Sequence, residues 1–108
     1  MRLYHNPRCS KSRQALKLMK ESGVEFEEYR YLDNGIHTDD LLILSRLDDV
    51  IRINDLSTAD GTDLSDETQI IEILKNNPRV LQRPVLISGQ QAVIGRPPEE
   101  ILILLLEA

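Results

Sequence analysis

Sulfur nucleophiles are scarce in this chain, where Cys9 is the one cysteine in 108 residues. A single thiol excludes any intrachain disulfide and any multi-cysteine metal centre. Long apolar runs are missing too. Residues 101–106 form an apolar run of six, far below the roughly 18 needed to cross a bilayer as a helix. The chain opens Met-Arg-Leu-Tyr-His, not with a basic segment leading into a hydrophobic one. These absences lead us to expect a cytoplasmic protein whose thiol stays reduced. No repeat or low-complexity linker divides the sequence, and its length suits one domain over residues 1–108 with a core that needs no disulfide or metal. The aspartates of the middle third read as a solvated surface, and their spacing does not match an EF-hand loop, so we assign no metal.

Acidic residues are absent from residues 1–20, which carry Arg2, Arg8, Lys11, Arg13, Lys17 and Lys20, whereas the remainder carries seven basic and eighteen acidic residues. The net charge of −5 therefore conceals a local cationic site, while the acidic whole disfavours nucleic acid as the main partner. Cys9 lies inside that cationic stretch. Leu3 and Tyr4 suggest a short strand, Asn6-Pro7 a turn, and Leu16, Leu18 and Met19 a helix. The helix would open near Cys9, with Ser10 and Ser12 placed to cap its free N–H groups. Those N–H groups and the positive end of the helix dipole suit an anion. Nearby cations lower a thiol pKa from about 8.5 toward roughly 3.5–7.5. A lone cysteine is commonly a small buried hydrophobe, but Arg8, Lys11 and Arg13 within four residues of the sulfur argue against apolar burial.

The remaining elements follow in order. A helix is expected over residues 10–22, ended by Gly23 in a left-handed cap. A strand is expected within residues 24–32, where a slip of phase at Glu27-Glu28 marks a bulge or an edge. Strand, helix and strand make a βαβ unit with parallel strands. Asn34-Gly35 is a turn, Thr38 an N-cap with Asp39 and Asp40 behind it, and Leu41, Leu42, Leu44 and Leu47 the apolar face of a helix. A turn-rich stretch over 54–62 precedes a helix over 65–76 capped at Ser65. Residues 36–80 thus read as a helical insertion. Residues 83–88 form a strand, Gly89-Gln90 a hairpin turn, and residues 91–95 the returning strand. Pro97 and Pro98 open a last helix that packs on the sheet.

The string His5-Asn6-Pro7-Arg8-Cys9-Ser10-Lys11-Ser12-Arg13 closely resembles the active-site loop of the ArsC-like family, the glutaredoxin-coupled arsenate reductases and their relatives. Arg83-Pro84 before a strand and Gly95-Arg96-Pro97 after its partner fit the same family. The resemblance implies an α/β thioredoxin-like fold with a mixed sheet, ordered βα, β, helical insertion, ββα. It also implies Cys9 as the nucleophile, with Arg83, Arg96 and a third arginine from the insertion around the oxyanion. The third is Arg52, with Arg46 as the alternative. Ser10, Lys11, Ser12 and Arg13 would line the anion loop, and Pro84 would face the cysteine, commonly through a cis bond. His5, four residues before Cys9, would stabilise the thiolate or transfer a proton, although a lone histidine more often packs.

The implied reaction is thiolate attack on arsenate with loss of water, completed by external thiols: glutathione as co-substrate, then glutaredoxin. No bound cofactor, metal, nucleic acid or membrane is expected. Tyrosine-phosphatase loops need arginine six residues after the cysteine, and Ala15 stands there. The alternatives are a transcriptional regulator resembling the Spx group, which binds RNA polymerase, or an ArsC-like thiol reductase of another substrate. Many Spx-like proteins carry Cys-x-x-Cys where this chain has Cys9-Ser10-Lys11-Ser12.

Overall fold

A computed structural model describes residues 1–52 and 65–106, so the turn-rich stretch expected over 54–62 lies outside the described residues. Four strands form one mixed sheet: β1 (Arg2–Tyr4), β2 (Glu27–Tyr29), β3 (Val85–Ser88) and β4 (Gln91–Ile94), in the order β2-β1-β3-β4. β1 pairs parallel with β2, and β3 runs antiparallel to both β1 and β4. Helix α1 (Ser10–Ser22) makes the crossover between the two parallel strands, ending at Gly23 with φ of 74°. This is the expected helix, and it ends as expected because glycine carries no Cβ to oppose a left-handed cap. The fold is thioredoxin-like.

Strand alternation sorts the core into two layers. Leu3 and Leu86, facing one way, pack with Ala15 and Met19 of α1 and with Ile101 and Leu104. Tyr4, Val85 and Ile87, facing the other way, pack with Leu41, Leu44, Val50, Ile70, Leu74 and Val80. The second layer is supplied by the segment between β2 and β3. It contains α2 (Tyr31–Asn34), a 3₁₀ turn at Thr38–Asp40 running into α3 (Leu41–Ser45), α4 (Glu67–Asn76) and a 3₁₀ turn at Pro78–Val80. The last helix, α5 (Leu102–Leu106), follows a 3₁₀ turn at Pro98–Ile101. Ile101 and Leu104 are buried, while Leu102, Ile103 and Leu106 are exposed. Among the described residues, no helix is long and apolar enough to cross a membrane.

Several local expectations need correction. The strand after α1 lies at the sheet's edge, one of the two expected readings of its phase slip, but it covers only three residues and the chain turns helical at Tyr31. The serines do not cap α1; Cys9 itself is the N-cap, in extended conformation (φ −94°, ψ 123°), and its sulfur forms no cap hydrogen bond. His37, not Thr38, caps the first turn of the insertion, its Nδ1 accepting the Asp39 N–H at 3.2 Å. Asp66, not Ser65, caps α4, accepting the Thr68 N–H at 2.9 Å. Leu42, assigned to an apolar face, is exposed.

Asp40 is no surface aspartate. It is buried and accepts hydrogen bonds of 2.6 Å from both Arg2 Nη1 and the Tyr4 hydroxyl. That hydroxyl in turn accepts the His37 N–H at 3.1 Å. The carboxylate thus ties β1 to the first turn of the insertion, and a buried charge is tolerated because both its partners are donors. Truncating it leaves the buried Tyr4 hydroxyl without its acceptor and removes the buried partner of Arg2, whose Nε keeps Glu27 at 3.3 Å. Asp40→Ala is expected to cost about 1–3 kcal/mol of stability in denaturant unfolding, whereas Asp39→Ala, at an exposed site, should lie within about 0.5 kcal/mol of wild type. Equal effects of the two would refute the tie.

Candidate active site

The loop before α1 is shaped by its own polar groups. Asn6 Oδ1 accepts the Arg8 N–H, the Asn6 carbonyl accepts the Cys9 N–H at 3.0 Å, and the Ser12 hydroxyl accepts the Asn6 N–H at 3.3 Å. Arg13 Nη1 donates to the Pro7 carbonyl at 3.0 Å. Ser12 is buried and Arg13 is exposed, so both are engaged in holding the loop. Ser10 and Lys11 have exposed side chains. Lys11 acts on the sulfur through its backbone N–H at the helix start, which favours the thiolate without a formed cap hydrogen bond.

Cys9 is partly buried and free. Burial works to raise its thiol pKa, but the Ser12 N–H, the Arg83 guanidinium and the Lys11 N–H together outweigh burial and hold it below the ordinary value. The cations adjacent in sequence are not the ones that matter most: Arg8 points into solvent and Arg13 is turned to Pro7. The side-chain charge that lowers the thiol pKa is that of Arg83, distant in sequence and second to the Ser12 N–H.

Arg83 and Arg96 are brought together by the two ends of the β3–β4 hairpin. Arg96 Nε donates to the Arg83 carbonyl at 2.8 Å, which leaves Nη2 4.0 Å from Cys9 Sγ. Beside it the Gly95 N–H donates to the Pro84 carbonyl at 2.8 Å. The Arg83-Pro84 and Arg96-Pro97 bonds are both cis. A Cβ at residue 95 would stand 2.8 Å from Pro84 Cγ and 3.1 Å from Ile101 Cγ2, so glycine is required for the two segments to approach.

Arg52 is held by its backbone, whose N–H donates to the Val80 carbonyl at 2.7 Å beside the Ile51–Leu81 bridge. Asp49, at φ of 60°, turns the chain just before it, a conformation that aspartate tolerates better than most residues. Arg52 and Arg96 share an open cleft of about 700 Å³ with Asp48, Asp49, Ile51, Gln82 and Ile94. Arg46 lines a different hollow, is 61% exposed, and pairs with Glu67 at 3.3 Å. Of the two candidates, Arg52 is the one beside Arg96.

His5 is buried under the loop, its backbone N–H on the Tyr29 carbonyl at 2.9 Å. Burial pushes its pKa below the ordinary 6.5, which favours the neutral ring. Two residues escaped the sequence reading. Gln82 lines the cleft, and Tyr31 is fully buried with its hydroxyl in the field of Arg83, Cys9, Arg52 and Arg96. Nothing in the local pattern marked Tyr31, which sits among β-prone neighbours.

The match to the ArsC family covers residues 4–104. This chain belongs to the ArsC family. An uncharacterized protein, YfgD of Escherichia coli (strain K12), is 37% identical over 94% of this chain and 93% of its own length. An arsenate reductase of Neisseria meningitidis is 34% identical over 94% of each chain. Among solved structures, a putative arsenate reductase from Yersinia pestis superposes with a TM-score of 0.73 at 31% identity, covering 94% of this chain and 96% of that one.

The thiol's environment can be read directly. Iodoacetamide alkylation across pH should give a midpoint for Cys9 below the 8.5–9 of an ordinary thiol. Arg83→Ala should move it up, while Arg8→Ala should leave it in place. A wild-type midpoint at or above 8.5, or equal shifts in the two variants, would contradict the assignment.

Proposed function

We infer that the protein is a thiol-dependent oxyanion reductase that converts arsenate to arsenite. The observation that carries this reading is the convergence on one partly buried sulfur of two helix N–H groups, Arg83 and Arg96, with Arg52 in the adjoining cleft. An electropositive, partly exposed thiol is the setting of a nucleophile, not of a core cysteine. Guanidinium groups bind the oxygens of a tetrahedral dianion in bidentate fashion, holding it beside the sulfur. The names of the relatives favour arsenate as that anion.

In the proposed cycle the Cys9 thiolate attacks arsenic, an S–As(V) bond forms and an oxygen leaves as water. A glutathione thiolate then attacks the Cys9 sulfur. The S–As electron pair stays on arsenic, which departs as arsenite, and a Cys9–glutathione disulfide remains. Glutaredoxin reduces that disulfide by thiol exchange. The chain has no second thiol, and the Ser12 hydroxyl, where a resolving cysteine would sit, is engaged with Asn6. That engagement speaks for an external reductant and against an internal Cys-x-x-Cys switch of the Spx kind. A reducing cytoplasm suits such a cycle.

The cycle predicts arsenate turnover only when arsenate, glutathione and glutaredoxin are all present. Intact-protein mass spectrometry should find one glutathione adduct, on Cys9, that glutaredoxin removes. Sustained turnover with thioredoxin and its reductase alone would overturn the route. The anion site predicts that Arg83→Lys, Arg96→Lys and Arg52→Lys each lose about ten- to hundredfold in kcat/KM with little loss of stability. Arg79→Lys and Arg46→Lys, at exposed positions, should keep wild-type activity. Uniform losses across all five would mean that only overall charge matters.

A further inference from the structure

We propose that Tyr31 is a further substrate-contacting residue, whose hydroxyl donates a hydrogen bond to an oxygen of the tetrahedral anion held against Cys9. The proposal rests on the oxyanion reading above and deepens it. Tyr31 opens α2, directly after the edge strand β2, whose Tyr29 is paired in register with Tyr4 of β1. The chain from Tyr4 runs on into the Cys9 loop, so parallel pairing carries Tyr31 to the underside of that loop. Its ring lies 6.0 Å from that of Tyr4, inside the insertion-side core.

The hydroxyl is closed to solvent, and among the described residues it has no hydrogen-bond partner. This is unusual. A buried tyrosine oxygen normally finds a partner, and leaving one unmade calls for an explanation such as a ligand that belongs there. The neighbouring tyrosines follow the rule: the Tyr4 hydroxyl donates to Asp40, and that of Tyr29 to the Gly35 carbonyl at 2.8 Å. The charges that act on the Tyr31 hydroxyl are those of the anion site itself, Arg83, Cys9, Arg52 and Arg96. Burial pushes the phenol up to about 12 in spite of the three arginines, so it stays protonated and can only donate to an anion's oxygen. A neutral donor deep in the site complements the arginines, because it adds direction without adding charge.

The test is protection of Cys9 from iodoacetamide by arsenate, which reads binding without turnover, in wild type, Tyr31→Phe and Tyr29→Phe, with the melting temperature of each. Phenylalanine keeps the ring and deletes an oxygen that the folded protein does not use. Tyr31→Phe is therefore expected to need about ten- to hundredfold more arsenate for half protection, with Tm unchanged or raised. Tyr29→Phe should show wild-type protection and a lower Tm. Unchanged protection in Tyr31→Phe overturns the proposal, and so does a Tm several degrees lower, which would assign the hydroxyl to the fold. Absence of protection in the wild type sinks the oxyanion reading itself, and the unmodified protein alone reveals that failure.

Discussion

The contact between the two ends of the β3–β4 hairpin governs the site. The Gly95 N–H on the Pro84 carbonyl and Arg96 Nε on the Arg83 carbonyl lock residues 83–84 to residues 95–96. The Arg96 guanidinium is thereby positioned by the backbone of the Arg83 segment. Long flexible guanidinium side chains lose conformational entropy when they are fixed, and here part of that ordering is done by the hairpin before any anion arrives. A site assembled in advance is what electrostatic stabilisation requires. The absence of a side chain at Gly95 is what allows it, since a single methyl group there would collide with Pro84.

Charge is distributed to match. The chain as a whole is acidic, yet the groups that lower the Cys9 thiol pKa are donors, two backbone N–H groups and Arg83, with Arg96 Nη2 4.0 Å from the sulfur. Asp48 and Asp49 stand at the cleft, and Asp40, the most buried acidic residue among those described, faces Arg2 and Tyr4 instead of the site. The parallel strands of the βαβ unit place the start of α1 at the sulfur, and the segment between β2 and β3 returns Arg52 to the cleft.

Much of this was legible in the residues. The limits of α1, its glycine cap, the Gly89-Gln90 turn and the pairing of the last two strands depend on local chemistry, and local chemistry is what a sequence displays. The arginines at 83 and 96 were found through a family motif, not through spacing. What escaped depends on partners distant in the chain. Asp40 looked like surface because nothing near it says that Arg2 and Tyr4 will claim it, 38 and 36 residues away. The caps at His37 and Asp66 lay one residue from the expected hydroxyls, since an imidazole nitrogen or a carboxylate can accept the same N–H groups. Tyr31 was assigned to a strand because aromatic residues favour strands, and its place under the loop follows from register with β1. The cations beside Cys9 in sequence were overweighted for the converse reason: proximity along the chain does not fix where a side chain points.

The buried Ser12 hydroxyl, hydrogen-bonded to Asn6 where a second thiol would otherwise sit, also determines how the protein meets oxidative stress. A thiolate-prone, partly exposed cysteine is the kind that peroxide converts to sulfenic acid, and a neighbouring thiol normally traps that species as a disulfide before it is oxidised further. This chain has no such neighbour. A sulfenylated Cys9 depends on a small thiol arriving from solution, and without one it proceeds to the irreversible sulfinic and sulfonic acids. The feature that ties Ser12 into the loop and leaves the thiol single therefore makes the lifetime of a reduced Cys9 a function of the surrounding thiol concentration.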